Sequence, residues 1–315
     1  MLVIRDPADF PPLQNAVVTS GTFDGVHVGH QRILRRLHEV AQASGGPSVV
    51  ITYWPHPRLV LGPPPTHPEL LALQLLNTLE ERIAKLAEFG VDYLLIVPFT
   101  KEFASWTSEQ YIQQLLIDTV GTRRLVIGYD HRFGKNREGG FDYLSQHADR
   151  YGFTVEEISR EDVDAVGVSS TRIRRALLEG DIATANRYLG YQYPVTGLVV
   201  HGQKLGRTIG YPTANLETIE PLKLVPAQGI YAVWAITAAG TRHAAMLSIG
   251  VRPTIGDDLA QTIEVNLLDF DGDLYDQLLT LEFVAWLRGE EKYDGLNALT
   301  TQLALDAQAT RAALA

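Results

Sequence analysis

From residue 15 to about residue 180 the hydrophobic positions fall into two alternating textures. Nearly unbroken apolar runs occur at Ala16-Val17-Val18, Val49-Val50-Ile51, Tyr93-Leu94-Leu95-Ile96-Val97, Arg124-Leu125-Val126-Ile127 and Phe153-Thr154-Val155. Between them apolar residues recur every three or four positions, as in Ile33, Leu34, Leu37, Val40 and Ala41. The first texture is that of strands covered on both faces in a parallel sheet, and the second that of the covering helices. Asn77 with Glu80, and Thr107 with Gln110, have the form of capping boxes and mark helix starts. Strand and helix in alternation predict a doubly wound α/β domain with its ligands at the carboxyl ends of the strands. The proline-rich residues 54–68 predict a long irregular loop beside that edge.

Beyond Leu189 the texture changes. Short strand candidates at 195–201, 230–237, 242–249, 262–268 and 278–284 are separated by turns bearing glycine and aspartate, the pattern of an antiparallel barrel or sandwich. Leu296, Leu299, Leu303 and Ala307 then recur at helical spacing and predict a terminal amphipathic helix packed on that barrel. The expected architecture is therefore an α/β doubly wound parallel-sheet domain at 1–187 followed by an antiparallel β-barrel domain with a terminal helix at 188–315. No low-complexity linker or internal repeat separates them.

A length of 315 residues suits two domains, and 45% apolar with 20% charged residues suits an ordinary globular chain. No apolar run reaches the roughly eighteen residues a spanning helix needs, and Met1-Leu2-Val3-Ile4-Arg5-Asp6 has no basic flank, so a cytoplasmic protein without membrane attachment is expected. With no cysteine there is no disulfide, thiolate ligand or thiol nucleophile, and any metal must use oxygen or imidazole ligands. A net charge of −10 argues against a broad nucleic-acid surface. Small phosphorylated ligands remain compatible, because cations concentrate locally at His131-Arg132-Phe133-Gly134-Lys135-Asn136-Arg137 and at Arg172, Arg174 and Arg175.

The first strand runs into Gly21-Thr22-Phe23-Asp24-Gly25-Val26-His27-Val28-Gly29-His30 and then a helix. Gly21, Gly25 and Gly29 allow the backbone to approach a ligand closely, and helix-start amides attract anions. His27 and His30, one turn apart, can donate to the same phosphate. This decapeptide resembles the nucleotidyltransferase signature of the bacterial bifunctional riboflavin kinase/FMN adenylyltransferases, the FAD synthetases. On its own the stretch points to nucleotidyl transfer; the flavin assignment comes from the second half of the chain.

There, His201-Gly202-Gln203-Lys204-Leu205-Gly206-Arg207-Thr208-Ile209-Gly210-Tyr211-Pro212-Thr213-Ala214-Asn215 resembles the riboflavin kinase signature. Gly202, Gly206 and Gly210 permit a phosphate cradle, Lys204 and Arg207 supply charge, and Pro212 fixes the approach of Thr213 and Asn215. These last two, two residues apart on one face of an extended segment, offer oxygens to a hard magnesium ion. The resemblance continues through Gly229-Ile230-Tyr231-Ala232, Ser248 to Thr254 and Ile263 to Phe270, and covers the chain from about residue 14 to 310. It places Glu264 as the carboxylate that accepts the proton of a primary alcohol; by alternation alone Glu264 is a solvent-facing strand residue. It also places Arg288, Glu291 and Lys292 near the flavin, although the segment reads equally as a solvated turn.

In the first half, Gly128-Tyr129-Asp130-His131-Arg132-Phe133-Gly134 resembles the family's second motif and implies that Asp130 and Phe133 contact FMN or the nucleotide. Val168-Ser169-Ser170-Thr171-Arg172-Ile173-Arg174 resembles its last motif, with Ser170 as a cap, Thr171 beside it and Arg172 on the triphosphate, while Arg174 and Arg175 also suit plain exposure on a helix. Phe23, Asp24 and Gly29 complete the implied ATP site. Three departures stand out: Trp54 where the family usually has an acid, His131 where it often has phenylalanine, and Asn136 where it often has glycine. The resemblance implies an enzyme that phosphorylates riboflavin with ATP and then adenylylates FMN with a second ATP. Rival readings are a flavin-binding carrier that no longer reacts, and a single-activity nucleotidyltransferase with an accessory β domain.

Overall fold

The structure is a computed structural model that describes residues 1–62, 73–159, 167–202, 206, 209–253 and 259–315. The chain divides into two compact units, Met1–Ser170 and Thr171–Ala315.

In the first unit, strands β1 (Leu2–Ile4), β2 (Ala16–Ser20), β3 (Ser48–Trp54), β4 (Tyr93–Pro98), β5 (Thr122–Gly128) and β6 (Thr154–Ile158) form one sheet in the order β1-β4-β3-β2-β5-β6, parallel throughout. The uninterrupted apolar runs have a direct cause. Val17, Val50, Leu94, Ile96 and Val126 pack on one face with Leu34 and Leu37 of helix α1 (Val28–Ser44). Their strand neighbours Val18, Val49, Ile51, Leu95, Val97, Leu125 and Ile127 pack on the other with Ile112, Leu115 and Leu116. Both faces are core, so no polar alternation survives. The edge strand β1 escapes a sequence reading because it has three residues and only Ile4 is buried. The strand order reverses between β2 and β5, a topological switch point that opens a crevice at the carboxyl ends of these two strands.

Part of the proline-rich segment lies within the described residues. A short helix, α2 (Pro57–Leu61), is capped by His56, whose Nδ1 accepts from the Arg58 N–H, and residues 63–72 lie outside the described residues. Helix α3 (Leu79–Ala87) starts one residue later than expected: its capping box pairs Thr78 with Glu81, not Asn77 with Glu80. Both pairs fit the motif, but the Asn77 N–H is bound by the Asp24 carboxylate and cannot take the cap role. Two short helices follow, α4 (Lys101–Ala104) and α5 (Ser108–Gln110); Thr107 and Gln110 form the box expected of them before a π-helical turn at Tyr111–Thr119. Helix α6 (Phe141–Tyr151) precedes β6.

In the second unit six antiparallel strands close a barrel in the order β10-β11-β8-β7-β12-β9. They are β7 (Pro194–Val200), β8 (Ala214–Thr218), β9 (Gly229–Thr237), β10 (Arg242–Pro253), β11 (Leu259–Leu267) and β12 (Leu278–Arg288). Strand β8 was legible only as an extended segment, since Ala-Asn-Leu-Glu-Thr buries Leu216 alone. Residues 171–187, read from sequence as the end of the first domain, fold with the barrel. Helix α7 (Ser170–Leu178) is followed by α8 (Ile182–Leu189), whose Asn186 donates to the Phe283 carbonyl and accepts from the Tyr193 N–H.

The terminal helix α9 (Leu296–Leu314) forms as expected, with Leu299, Leu303 and Ala307 of its apolar stripe half-buried. Leu296 is 65% exposed, and the most buried positions are Asp306 and Thr310. Asp306 receives two hydrogen bonds from Arg288, Nε at 2.9 Å and Nη2 at 2.7 Å, and one from Gln302 at 2.9 Å.

Candidate active sites

The first site is built where β2 meets α1. The chain leaves Ser20, anchors the Gly21 N–H on the Ile51 carbonyl, and turns through Phe23 (φ 47), Gly25 (φ 85) and Val26 (φ 33). Only Gly25 adopts such a φ without cost; Phe23 and Val26 are held there by burial and by Gln31, which donates to the Val26 carbonyl. His27 then caps α1, its Nδ1 accepting from the His30 N–H at 3.3 Å. That bond leaves Nε2 as the protonated nitrogen of a neutral His27. The His27 and His30 rings stack at 3.7 Å and 13°, and Phe23 lies 5.1 Å from His30. Burial, His27 and Arg82 hold the His30 pKa well below its ordinary value. His30 therefore meets an anion as a neutral donor beside the first-turn amides of α1, where the helix dipole also favours negative charge.

Asp24, expected in the phosphate cradle, directs its carboxylate inward. It is 1% exposed, accepts from the Leu76 and Asn77 N–H groups and lies 3.8 Å from the Arg82 guanidinium. Arg82 was not singled out in the sequence. It is fully buried, donates to the Tyr53 carbonyl and sits over the Trp54 ring at 5.6 Å. The signal was present in Leu79, Arg82 and Leu86, which place an arginine on the apolar stripe of α3. Trp54, where the family usually has an acid, thus meets that arginine with an aromatic face.

Ser170 Oγ donates to the Asp24 carbonyl at 2.9 Å, tying the last motif of this half to the first. Thr171 and Arg172 follow on α7 and belong to the second unit. Across the switch point, Asp130 is exposed in the turn after β5 and Phe133 is buried against Tyr111 at 4.8 Å. A cleft of about 360 Å³ lined by Leu13, Asn15, Thr122, Arg123 and Tyr151 lies at the opposite, amino end of β2 and β5, away from these residues.

The second site is a row across the barrel. Glu264 on β11 pairs with Asn215 on β8 and Ser248 on β10. Directly opposed residues share a face, so these three point outward together while Ile263, Leu216 and Ile249 point into the core. Thr213 Oγ1 donates to Glu264 Oε2 at 3.3 Å, and Asn266 Nδ2 holds the Pro212 carbonyl at 2.7 Å. Two glycines are required by close approach. A Cβ on Gly202 would stand 2.1 Å from Asn215 Nδ2, and one on Gly206 would stand 2.2 Å from the Tyr211 carbonyl oxygen. Gly210 turns with φ 82. Lys204 and Arg207 lie outside the described residues.

Thr213, Asn215 and Glu264 gather oxygen donors alone, a set suited to a hard divalent cation. Arg288, expected at the flavin, is instead committed to Asp306, with its remaining guanidinium nitrogen on the Gly289 carbonyl; Lys292 is exposed. Among the described residues no helix is long and apolar enough to cross a membrane.

Comparison with known proteins also divides the chain in two, with residues 173–188 in neither match. Residues 10–172 match the FAD synthetase family model, and residues 189–314 match the riboflavin kinase model. The bifunctional riboflavin kinase/FMN adenylyltransferase of Pseudomonas fluorescens is 40% identical over 302 residues, 96% of this chain and 94% of its own length. The enzyme of the same name from Listeria monocytogenes is 37% identical over 95% of this chain and 92% of its own. A crystal structure titled as a macrolide-efflux protein of Streptococcus pneumoniae superposes with a TM-score of 0.87 at 32% identity, covering 98% of both chains.

Proposed function

The chain belongs to the bifunctional riboflavin kinase/FMN adenylyltransferase family, and from that premise we propose which of its residues perform the two reactions. The enzyme phosphorylates riboflavin to FMN and joins FMN to AMP from a second ATP, giving FAD and pyrophosphate. The observation that carries the assignment is the presence of two separate polar constellations, one on each unit: the stacked His27–His30 pair at the head of α1, and the Thr213–Asn215–Glu264 row on the barrel.

In the kinase reaction Glu264 accepts the proton of the riboflavin terminal hydroxyl as that oxygen attacks the γ-phosphorus. A positioned base of this kind typically contributes about a hundred- to ten-thousand-fold. Family membership implies ATP and a divalent metal; Thr213 and Asn215 are the residues that would hold it, and Mg²⁺ is the ion we assign. When bound, it neutralises phosphate charge and helps align the transferring group. Gly202 and Gly206 keep the backbone low enough for a triphosphate to lie against it, with Lys204 and Arg207 as its cations.

In the adenylyl reaction the FMN phosphate is already anionic and needs no base. His27 and His30 donate N–H bonds to the ATP phosphates, so the turn stabilises charge on the leaving group. Gly21, Gly25 and Gly29 give the close backbone approach, while Asp24 and Phe23 hold the turn in shape from inside. Asp130 and Phe133 lie on the flavin side of the crevice. We assign the adenylyl site to the first unit and the kinase site to the second, and place the enzyme in the cytoplasm with no nucleic-acid or membrane partner, as its net charge of −10 favours.

Incubation with riboflavin, ATP and a divalent cation, followed by separation of the flavins, tests this reading. FMN appearing first and FAD accumulating from it is the expected result. A folded chain that yields neither would overturn it, and FAD formed only from supplied FMN would confine the chain to adenylyl transfer.

A further inference from the structure

A line of four side chains crosses the first unit just below its crevice. Tyr53 of β3, Tyr111 of the π-helical turn and Ser20 at the end of β2 are linked by hydroxyl contacts of 2.8 and 3.0 Å, and Ser20 Oγ lies 2.7 Å from Nε2 of His131, three residues beyond β5. The last bond bridges the two strands between which the sheet order reverses.

Proton bookkeeping gives this line a direction. Tyr111 spends its proton on Ser20, so Tyr53 donates to Tyr111. Ser20 then has one proton left, and His131 Nε2 is the acceptor beside it. An accepting Nε2 in a neutral imidazole puts the ring proton on Nδ1. Burial, followed by Arg132 and Arg137, lowers the His131 pKa to about 4, so the neutral form is the working one. Nδ1 is itself buried and has no hydrogen-bond partner among the described residues. A buried N–H donor without an acceptor costs about 1–3 kcal/mol, so its retention calls for a ligand atom.

The surroundings narrow the ligand. The His131 ring lies 5.6 Å from Phe133, which packs on Tyr111, so this side of the crevice is aromatic, whereas the anion-binding turn sits at the head of α1. A flat conjugated ring suits such a wall. Isoalloxazine receives an N–H at carbonyl oxygens on its edge and adenine only at ring nitrogens, a difference that separate KM values for FMN and ATP read out. Resting on the adenylyltransferase reading above, we propose that His131 is a flavin-specificity residue of the adenylyl site, donating Nδ1–H to a carbonyl oxygen of the FMN ring while its Nε2 is held by Ser20. No residue-type rule for the family predicts this, because the position is one where this chain departs from the usual phenylalanine.

Two substitutions separate the ligand contact from the internal one. In His131→Gln the side-chain amide reaches the Nε2 position and keeps Ser20 satisfied but offers nothing at Nδ1. In His131→Asn the amide nitrogen sits at the Nδ1 position and Ser20 loses its acceptor. Expected for His131→Gln is a rise of about tenfold in KM for FMN, the worth of one hydrogen bond, with kcat and KM for ATP changing far less and Tm retained. Expected for His131→Asn is the reverse, a lower Tm with KM for FMN near that of the parent. Equal KM values for FMN in the parent and His131→Gln, a rise confined to KM for ATP, or loss of Tm and FMN affinity together in both variants would overturn the proposal. Nitrogen-15 NMR of the unmodified protein checks it without any variant: the neutral His131 must carry its proton on Nδ1, and that signal must move on adding FMN but not ATP. An Nε2–H tautomer, or a signal indifferent to FMN, refutes it. Failure of the adenylyltransferase reading is distinct, since the unmodified chain would then make no FAD from FMN and ATP.

Discussion

Asn215 and Glu264 stand directly opposite one another across the β8–β11 ladder, both on the outer face of the barrel, with Thr213 Oγ1 donating to the glutamate at 3.3 Å. A carboxylate on an alternating strand is ordinarily a solvated surface group. Here register gives it an amide neighbour on one side and Ser248 on the other. The barrel thus holds this carboxylate on strand backbone instead of on a loop.

Glu264→Gln keeps the shape of the side chain and removes its basicity. Riboflavin phosphorylation is expected to lose at least about a hundredfold in kcat, with riboflavin KM changed much less and adenylylation of supplied FMN retained. Parallel steady-state assays of the two half-reactions check this; a loss seen mainly in riboflavin KM would move Glu264 from proton acceptor to binding contact.

His30→Ala removes the ring held between Phe23 and His27. FAD formation from FMN should fall by about a hundred- to a thousandfold, the range for loss of one preorganised charge-stabilising donor, while FMN formation from riboflavin continues. Product separation at fixed enzyme concentration reads both numbers in one experiment.

Arg288 and Asp306 form a bidentate pair in which the arginine is 18% and the aspartate 5% exposed. Removing one member of a buried pair strands the other, so Asp306→Ala should destabilise the second unit by roughly 3 kcal/mol, whereas replacing both by apolar residues should cost much less. Thermal unfolding of the two single variants and the double variant supplies the cycle. Should Arg288→Ala leave Tm unchanged and raise only riboflavin KM, its place would be at the flavin after all.

Acid should weaken the first unit. His131, with a folded pKa of about 4, and His30, also lowered, stay neutral where the unfolded chain, titrating near its ordinary 6.5, already binds protons. Their contribution is intact above that ordinary value and declines as pH falls from there toward the folded values, by up to about 1.4 kcal/mol per pH unit for each group. Denaturant titrations of the parent between neutral pH and the mid-acid range should show this slope, and His131→Phe should flatten it.

Much of the fold was legible because it rests on local signals. Unbroken apolar runs announced β2 to β6, the change to short polar-punctuated strands announced the barrel, and Thr107 with Gln110 fell on a true helix start. Where two local solutions fit equally, as with Asn77 and Thr78, the choice was made by Asp24, some fifty residues away. Strand β8 was obscured because a short barrel strand with one buried residue carries no periodicity to detect. The Arg288–Asp306 pair was not legible for the same reason of range: a guanidinium finds its partner by distance in space, and Asp306 is eighteen residues further on.

By itself the order of residues determined the layered class of each half, the turn that follows β2, and the glycine, histidine, threonine and asparagine chemistry offered at each site, since those follow from hydrophobic period, backbone freedom and side-chain type. Tertiary structure alone decided which polar groups face one another: that His27 caps α1 with His30 stacked upon it, that Asp24 turns inward to Leu76 and Asn77, that Glu264 meets Asn215, and that a hydroxyl line from Tyr53 ends on His131. The physical reason is that hydrogen bonds and ion pairs act over about 3 Å, so their pairing is set by strand register and chain crossing, which one sequence constrains only through the fold as a whole.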